Sequence, residues 1–144
     1  MLVRDVLHAK GNRIISIDPD ATVHESIAML VQNNIGSLPV VDQDGRLVGI
    51  FAERDVLRII HNRGEKFGRM RISEVMTPDP VTCDIHDDVN DVMGLMSERR
   101  IAKVPVVHAG NLVGIISVGD VIKVQYDKVA TENYHLLSYI HGAI

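Results

Sequence analysis

The chain has 144 residues, 46% apolar and 24% charged, with a formal net charge of −4. A body of this length buries about 68% of its unfolded surface and needs no covalent staple. The acidic balance, the absence of Trp and the small number of Phe and Tyr argue against a surface for phosphodiester backbones or stacked bases, so no nucleic-acid partner is expected.

The opening "MLVRDVLHAKG" carries Arg4, Asp5 and Lys10 and lacks the apolar centre of a secretion signal. No later segment approaches the roughly 18 uninterrupted apolar residues of a membrane span. A cytoplasmic protein without a membrane partner is therefore expected. A short strand follows at Ile14–Ile17. "TVHE" then sets Thr22 and Glu25 as a capping box for a helix with Val23, Ile27, Leu30 and Val31 on one face. The apolar runs "SLPVVD" and "RLVGIF", joined by "QDG", read as strand, tight turn, strand. "GIFAERD", Gly49 to Asp55, opens a second helix, and "HNRGEKFGRM" (61–70) reads as an exposed linker.

The remainder repeats this order. Laying Asp18 on Asp84 brings "IGSLPVV" onto "IAKVPVV" and, after a one-residue gap, "GRLVGIFAERDV" onto "GNLVGIISVGDV". The chain is a tandem repeat. Its second copy has a strand at Val81–Cys83, a helix behind Asp88 with Val89, Val92, Met93 and Met96, a hairpin across Ala109 and Gly110, and a helix opened by "GIISVGD". Each unit is strand, helix, strand, strand, helix, an α+β fold. The expected divisions are 1–61 for the first unit with its N-terminal helix, 62–70 for the linker, and 71–144 for the second unit with a C-terminal helical extension. On that extension Ile122, Tyr126, Val129, Leu136, Leu137 and Ile140 fall near one face. They either return to the protein's own core or bury against a second copy; a homodimer is expected.

Two readings of the glycine-to-aspartate motif stand side by side. In the first it is punctuation: Ser117 caps the helix that Asp120 opens, an acidic residue suits the helix N-terminus, and Gly49 and Gly114 let a neighbour approach. Ala52 takes the cap position in the first copy, yet Asp55 is kept, which a cap alone leaves unexplained. In the second reading each carboxylate accepts hydrogen bonds from a ribose diol in a cleft.

Two such motifs, each behind a "PVV" strand in a tandem repeat, resemble a pair of cystathionine-β-synthase (CBS) domains, the Bateman module, from Val3 to about Val124. The resemblance implies two units packed about a pseudo-twofold axis, dimerisation, and clefts for adenosine-containing ligands: AMP, ADP, ATP, NAD(H) or S-adenosylmethionine. It places the ribose on Asp120 with Ser117 and on Asp55. Adenine falls beside Ile14, Ile15 and Ser16 in one cleft and beside Thr77, Pro80 and Val81 in the other. Phosphate falls on Lys103 and Arg54, with Arg99 and Arg100 as weaker candidates. Ala52 and the uncharged Gly36 and Ser37 depart from the pattern, so two unequal sites are expected.

The expected function is a non-catalytic regulatory module that binds an adenine nucleotide between its units, signals by altered packing and acts on a separate effector protein. A structural dimerisation module without ligand is the alternative. No enzyme is expected: the seven His show no H-x-x-x-H spacing, so no metal site is foreseen, and Cys83 sits in a strand-like run where a buried hydrophobe is the ordinary reading.

Overall fold

The computed structural model describes residues 1–11, 13–64 and 66–142. Its elements run α1 (Val3–Lys10), α2 (Val23–Asn33), β1 (Ser37–Val41), β2 (Leu47–Ala52), α3 (Glu53–Arg63), α4 (Ile72–Val75), β3 (Thr77–Pro78), α5 (Val89–Arg99), β4 (Lys103–His108), β5 (Asn111–Ser117) and α6 (Val118–Ile140). The helix starts follow local chemistry. Thr22 and Glu25 form the reciprocal box at α2, Asp88 accepts the Asn90 amide at α5, and Ser117 accepts the Asp120 amide at α6.

Both hairpins are antiparallel and carry an irregularity at the same place in the repeat, between Val40 and Val41 and between Val106 and Val107. The strands expected at Ile14–Ile17 and Val81–Cys83 shrink to single parallel bridges, Ile17 to Val40 and Cys83 to Val106. Their backbones still lock in, because the Ile17 and Cys83 amides donate to Pro39 and Pro105 at 3.0 Å each. An extra strand, β3, joins β2 opposite Gly49 and Ile50.

Two apolar cores form, and each borrows from the other copy's leading segment. Val3, Val6 and Leu7 of α1 lie in the second core with Cys83, Val89, Met96, Val104 and Ile116. Ile72 lies in the first core with Val23, Leu38, Val40 and Phe51, flanked by Val75 and Met76. Backbone bonds fix the exchange: Val3 and Arg4 donate to Asp87 and Ile85, while Ile72 and Ser73 donate to Ala21 and Pro19. The linker around 62–70 thus separates the repeats along the chain but not their cores, and the N-terminal helix assigned to 1–61 completes the second core instead. Neither copy closes its core without the other's leading segment, which ties the two into one folding unit.

The far part of α6 leaves the body. Tyr126, Val129, Leu136 and Leu137 are all more than half exposed.

Candidate functional site

The exchange of leading segments builds a cleft of about 270 Å³ in front of Asp120. Lys10, Gly11, Arg13, Ile14 and Ile15 form one wall, and Val113, Gly114, Ile115, Ser117 and Asp120 form the other. Leu7, Ile35, Ser37 and Lys103 complete it. Gly114 permits this approach: a Cβ there would stand 2.8 Å from the Leu7 Cδ2 atom. Three cations, Lys10, Arg13 and Lys103, share the cleft with one carboxylate, so its field favours an anion.

Asp120 is held from two sides. Its Oδ2 atom accepts the Lys10 ammonium at 2.8 Å and the Ser117 amide at 3.0 Å, and the Ser117 Oγ accepts the Asp120 amide at 3.0 Å. Lys10 also donates to the Ile115 carbonyl at 2.8 Å, which pins it across the cleft mouth. Burial pushes the Asp120 carboxyl up, but Lys10 and Ser117 more than offset this and hold it below the ordinary carboxylate value. Among the described residues no donor reaches Oδ1, which keeps two acceptor sites, and the Ser117 hydroxyl proton has no partner there either.

The Asp55 corner is closed. Asp55 is 4% exposed. Its Oδ2 atom accepts the Ala52 amide at 2.8 Å, while Oδ1 accepts Arg58 at 2.7 Å and the Thr77 hydroxyl at 3.3 Å. Asp55 therefore serves the helix start even though Ala52 has no side-chain oxygen to return the bond, so the punctuation reading covers both motif aspartates after all. Met76 fills the space before Gly49, where a Cβ would lie 2.5 Å from its Sδ atom and 2.9 Å from the Thr77 carbonyl oxygen. Met76 stands at the repeat position of Lys10 and Thr77 at that of Gly11.

The CBS domain family profile matches residues 3–62 and 72–127. The chain belongs to the CBS domain family. Solved CBS structures share its architecture. The CBS-domain protein ATU1752 from Agrobacterium tumefaciens is 35% identical, with a TM-score of 0.80 over 86% of this chain and 92% of that one. The CBS pair of protein MJ0100, solved with 5′-methylthioadenosine and S-adenosyl-L-methionine, is 29% identical, with a TM-score of 0.76 over 89% and 98%. CBSX2, solved with AMP, is 26% identical, with a TM-score of 0.77 over 88% and 96%.

In this CBS pair the residues singled out from the sequence separate into groups. Asp120, Ser117, Ile14, Ile15 and Lys103 come together in the open cleft, and Ser16 does not line it. Asp55 and Thr77 meet in the closed corner. Arg54 is exposed on α3, and neither it, Pro80 nor Val81 lines the cleft. Arg99 and Arg100 end α5, where Arg100 takes the left-handed C-cap conformation at φ 55°. The sequence reading missed Lys10 and Arg13. Their signal was present in "AKGNRII", two cations directly before the predicted adenine-side strand. Cys83 is buried, and burial together with Asp87 and Asp84 pushes its thiol up to about 12, so it stays protonated at neutral pH.

Proposed function

We propose that this CBS pair binds one adenosine-containing ligand per chain in the Asp120 cleft and senses it without catalysis. The observation that carries this reading is the cleft itself, which gathers two Ile side chains, three cations and, with no partner among the described residues, one oxygen of a carboxylate and a hydroxyl proton. The ribose diol donates to Asp120 Oδ1, adenine lies against Ile14 and Ile15, and a phosphate meets Lys103 and Arg13. Lys10 then faces a choice between Asp120 and the phosphate. The MJ0100 and CBSX2 complexes support an adenosine ligand in CBS pairs generally.

Signalling follows from what lines the cleft. Lys10 belongs to a helix of the second core, and Ile15 and Ile35 flank the first. A ligand touching both shifts the equilibrium between two packings by its differential affinity. The exposed apolar side chains of α6 pair with a second copy, and a separate effector protein reads the result.

Calorimetric titration with AMP, ATP and S-adenosylmethionine tests the reading. Asp120→Ala is expected to weaken the best ligand at least tenfold, about 1.4 kcal/mol. Lys103→Met is expected to weaken AMP and ATP more than adenosine. Unchanged affinity in a folded Asp120→Ala variant sinks the proposal and leaves the cleft a by-product of capping.

A further inference from the structure

A second constellation lies at the turn end of the hairpin β4–β5, where His108 pairs with Asn111, away from the Lys103–Ser117 end that lines the cleft. Cys83 is clamped to β4 by its amide on Pro105 at 3.0 Å and by the Val107 amide on its carbonyl at 2.8 Å. This places the next residue, Asp84, beside the one that follows Val107, His108. A tight turn then returns the chain: the Asp87 amide donates to the Asp84 carbonyl at 3.1 Å, and the His86 amide to Asp84 Oδ1 at 2.9 Å. Asp87 Oδ2 accepts the Asp84 amide at 2.8 Å. The result is a carboxylate flanked by two imidazoles, with His86 Nδ1 at 3.0 Å from Oδ1 and His108 Nδ1 at 3.2 Å from Oδ2. The rings meet edge to face with centroids 5.4 Å apart.

We propose that Asp84, His86 and His108 form a surface site for a divalent transition-metal ion of the zinc class. Their donor atoms all lie within 4.8 Å of one another. Zinc bonds of about 2.0–2.1 Å at tetrahedral angles set neighbouring donors roughly 3.3 Å apart; each imidazole stands at 3.0 or 3.2 Å from one carboxylate oxygen, a different oxygen for each ring, so a turn of the Asp84 carboxylate brings one oxygen to both. Two imidazoles and one carboxylate select a borderline ion over magnesium or calcium, and the fourth position stays with water. Occupancy requires both rings as the Nε2–H tautomer, and the ion takes the place of the protons that otherwise bridge Nδ1 to Asp84. Spacing along the chain hid this site, because His86 and His108 lie on different segments and meet only through the Cys83–β4 pairing.

The first copy supplies an internal control. Its backbone repeats the same bonds, Ile17 to Pro39, Val41 to Ile17 and the Asp20 amide to Asp18 Oδ1, but Asp18, Asp20 and Asp42 stand at the three positions. That corner offers no imidazole. Zinc stoichiometry should therefore be one per chain, not two.

Untagged full-length protein titrated with zinc chloride at neutral pH tests this. One ion per chain is expected, with affinity falling more than about 100-fold in His86→Ala and in His108→Ala, beyond what outer-shell changes commonly cost, and unchanged in His135→Ala. Circular dichroism establishes that the variants fold. Ring-nitrogen NMR of the unaltered protein gives a readout that needs no variant: zinc should move the His86 and His108 signals before those of the other imidazoles. The proposal is overturned if the double variant binds zinc as the unaltered protein does, if binding is weaker than about 1 mM, or if the moving signals belong to other histidines.

Discussion

At the start of α6, Asp120 shares one carboxylate oxygen between Lys10 and the Ser117 backbone and keeps 23% of its side chain exposed. At the start of α3, Asp55 commits both oxygens to Ala52, Arg58 and Thr77 and keeps 6% of its side chain exposed. The motifs are matched, and so are the hairpins that carry them. The difference lies in the leading segment that each copy receives from the other. Lys10 and Gly11 leave room before Asp120, whereas Met76 and Thr77 fill the space before Asp55. A recurring motif thus fixes a helix start in both copies, and a residue pair from the other copy's leading segment, 110 residues before Asp120 in one case and 22 after Asp55 in the other, decides which start becomes a cleft.

Removing each carboxylate sharpens the contrast most. Asp55→Ala deprives a part-buried amide, a hydroxyl and a guanidinium of their acceptor, and is expected to cost about 2–3 kcal/mol in urea denaturation. Asp120→Ala loses a cap and a half-exposed ion pair and is expected to cost about 1 kcal/mol. Equal losses would break the comparison, since they would mean that both aspartates serve the fold alike.

The two glycines come next. A methyl group at Gly49 meets the Met76 sulfur and the Thr77 backbone carbonyl, and a backbone atom in a paired strand does not yield. Gly49→Ala is expected to cost about 1–3 kcal/mol. At Gly114 the obstacle is the tip of the Leu7 side chain, which rotates aside, so Gly114→Ala should cost under about 1 kcal/mol. The reverse order in thermal unfolding would show that α1 is the more rigid of the two borrowed segments.

Much of this was legible in the sequence because its causes are local. The Thr22–Glu25 box, the Asp88 and Ser117 caps and both hairpins need only neighbours in the chain. The exchange of α1 and α4 was not legible, because the spacing of Val3, Val6 and Leu7 states that a face is buried and not which core buries it. Lys10 was missed for the same reason, as its partner lies 110 residues further on. The Ala52 argument failed because a capping box has two halves: the backward bond from Asp55 to the Ala52 amide survives when the forward acceptor is gone.

The smallest expected effect is a pH dependence confined to the open cleft. In the folded chain burial raises the Asp120 carboxyl, but Lys10 and Ser117 outweigh it and the value falls below the ordinary 3.8. A carboxylate depressed on folding contributes stability above its unfolded value and loses it as pH falls through the folded one. Asp120→Asn removes that contribution. The stability gap between the unaltered protein and this variant should therefore be constant at neutral pH and shrink below about pH 4. Its size should stay under about 1 kcal/mol, because Lys10 and Asp120 are 34% and 23% exposed and water screens them. Lys10→Met narrows the same window: with the ammonium gone the Asp120 value rises toward the unfolded one, so the contribution at neutral pH is smaller and its acid-side loss ends at higher pH. Urea titrations of the three proteins at matched pH values measure this. A gap that does not change with pH would mean that Lys10 lies across the cleft without stabilising the Asp120 charge, leaving it free for an incoming phosphate at no cost to the pair.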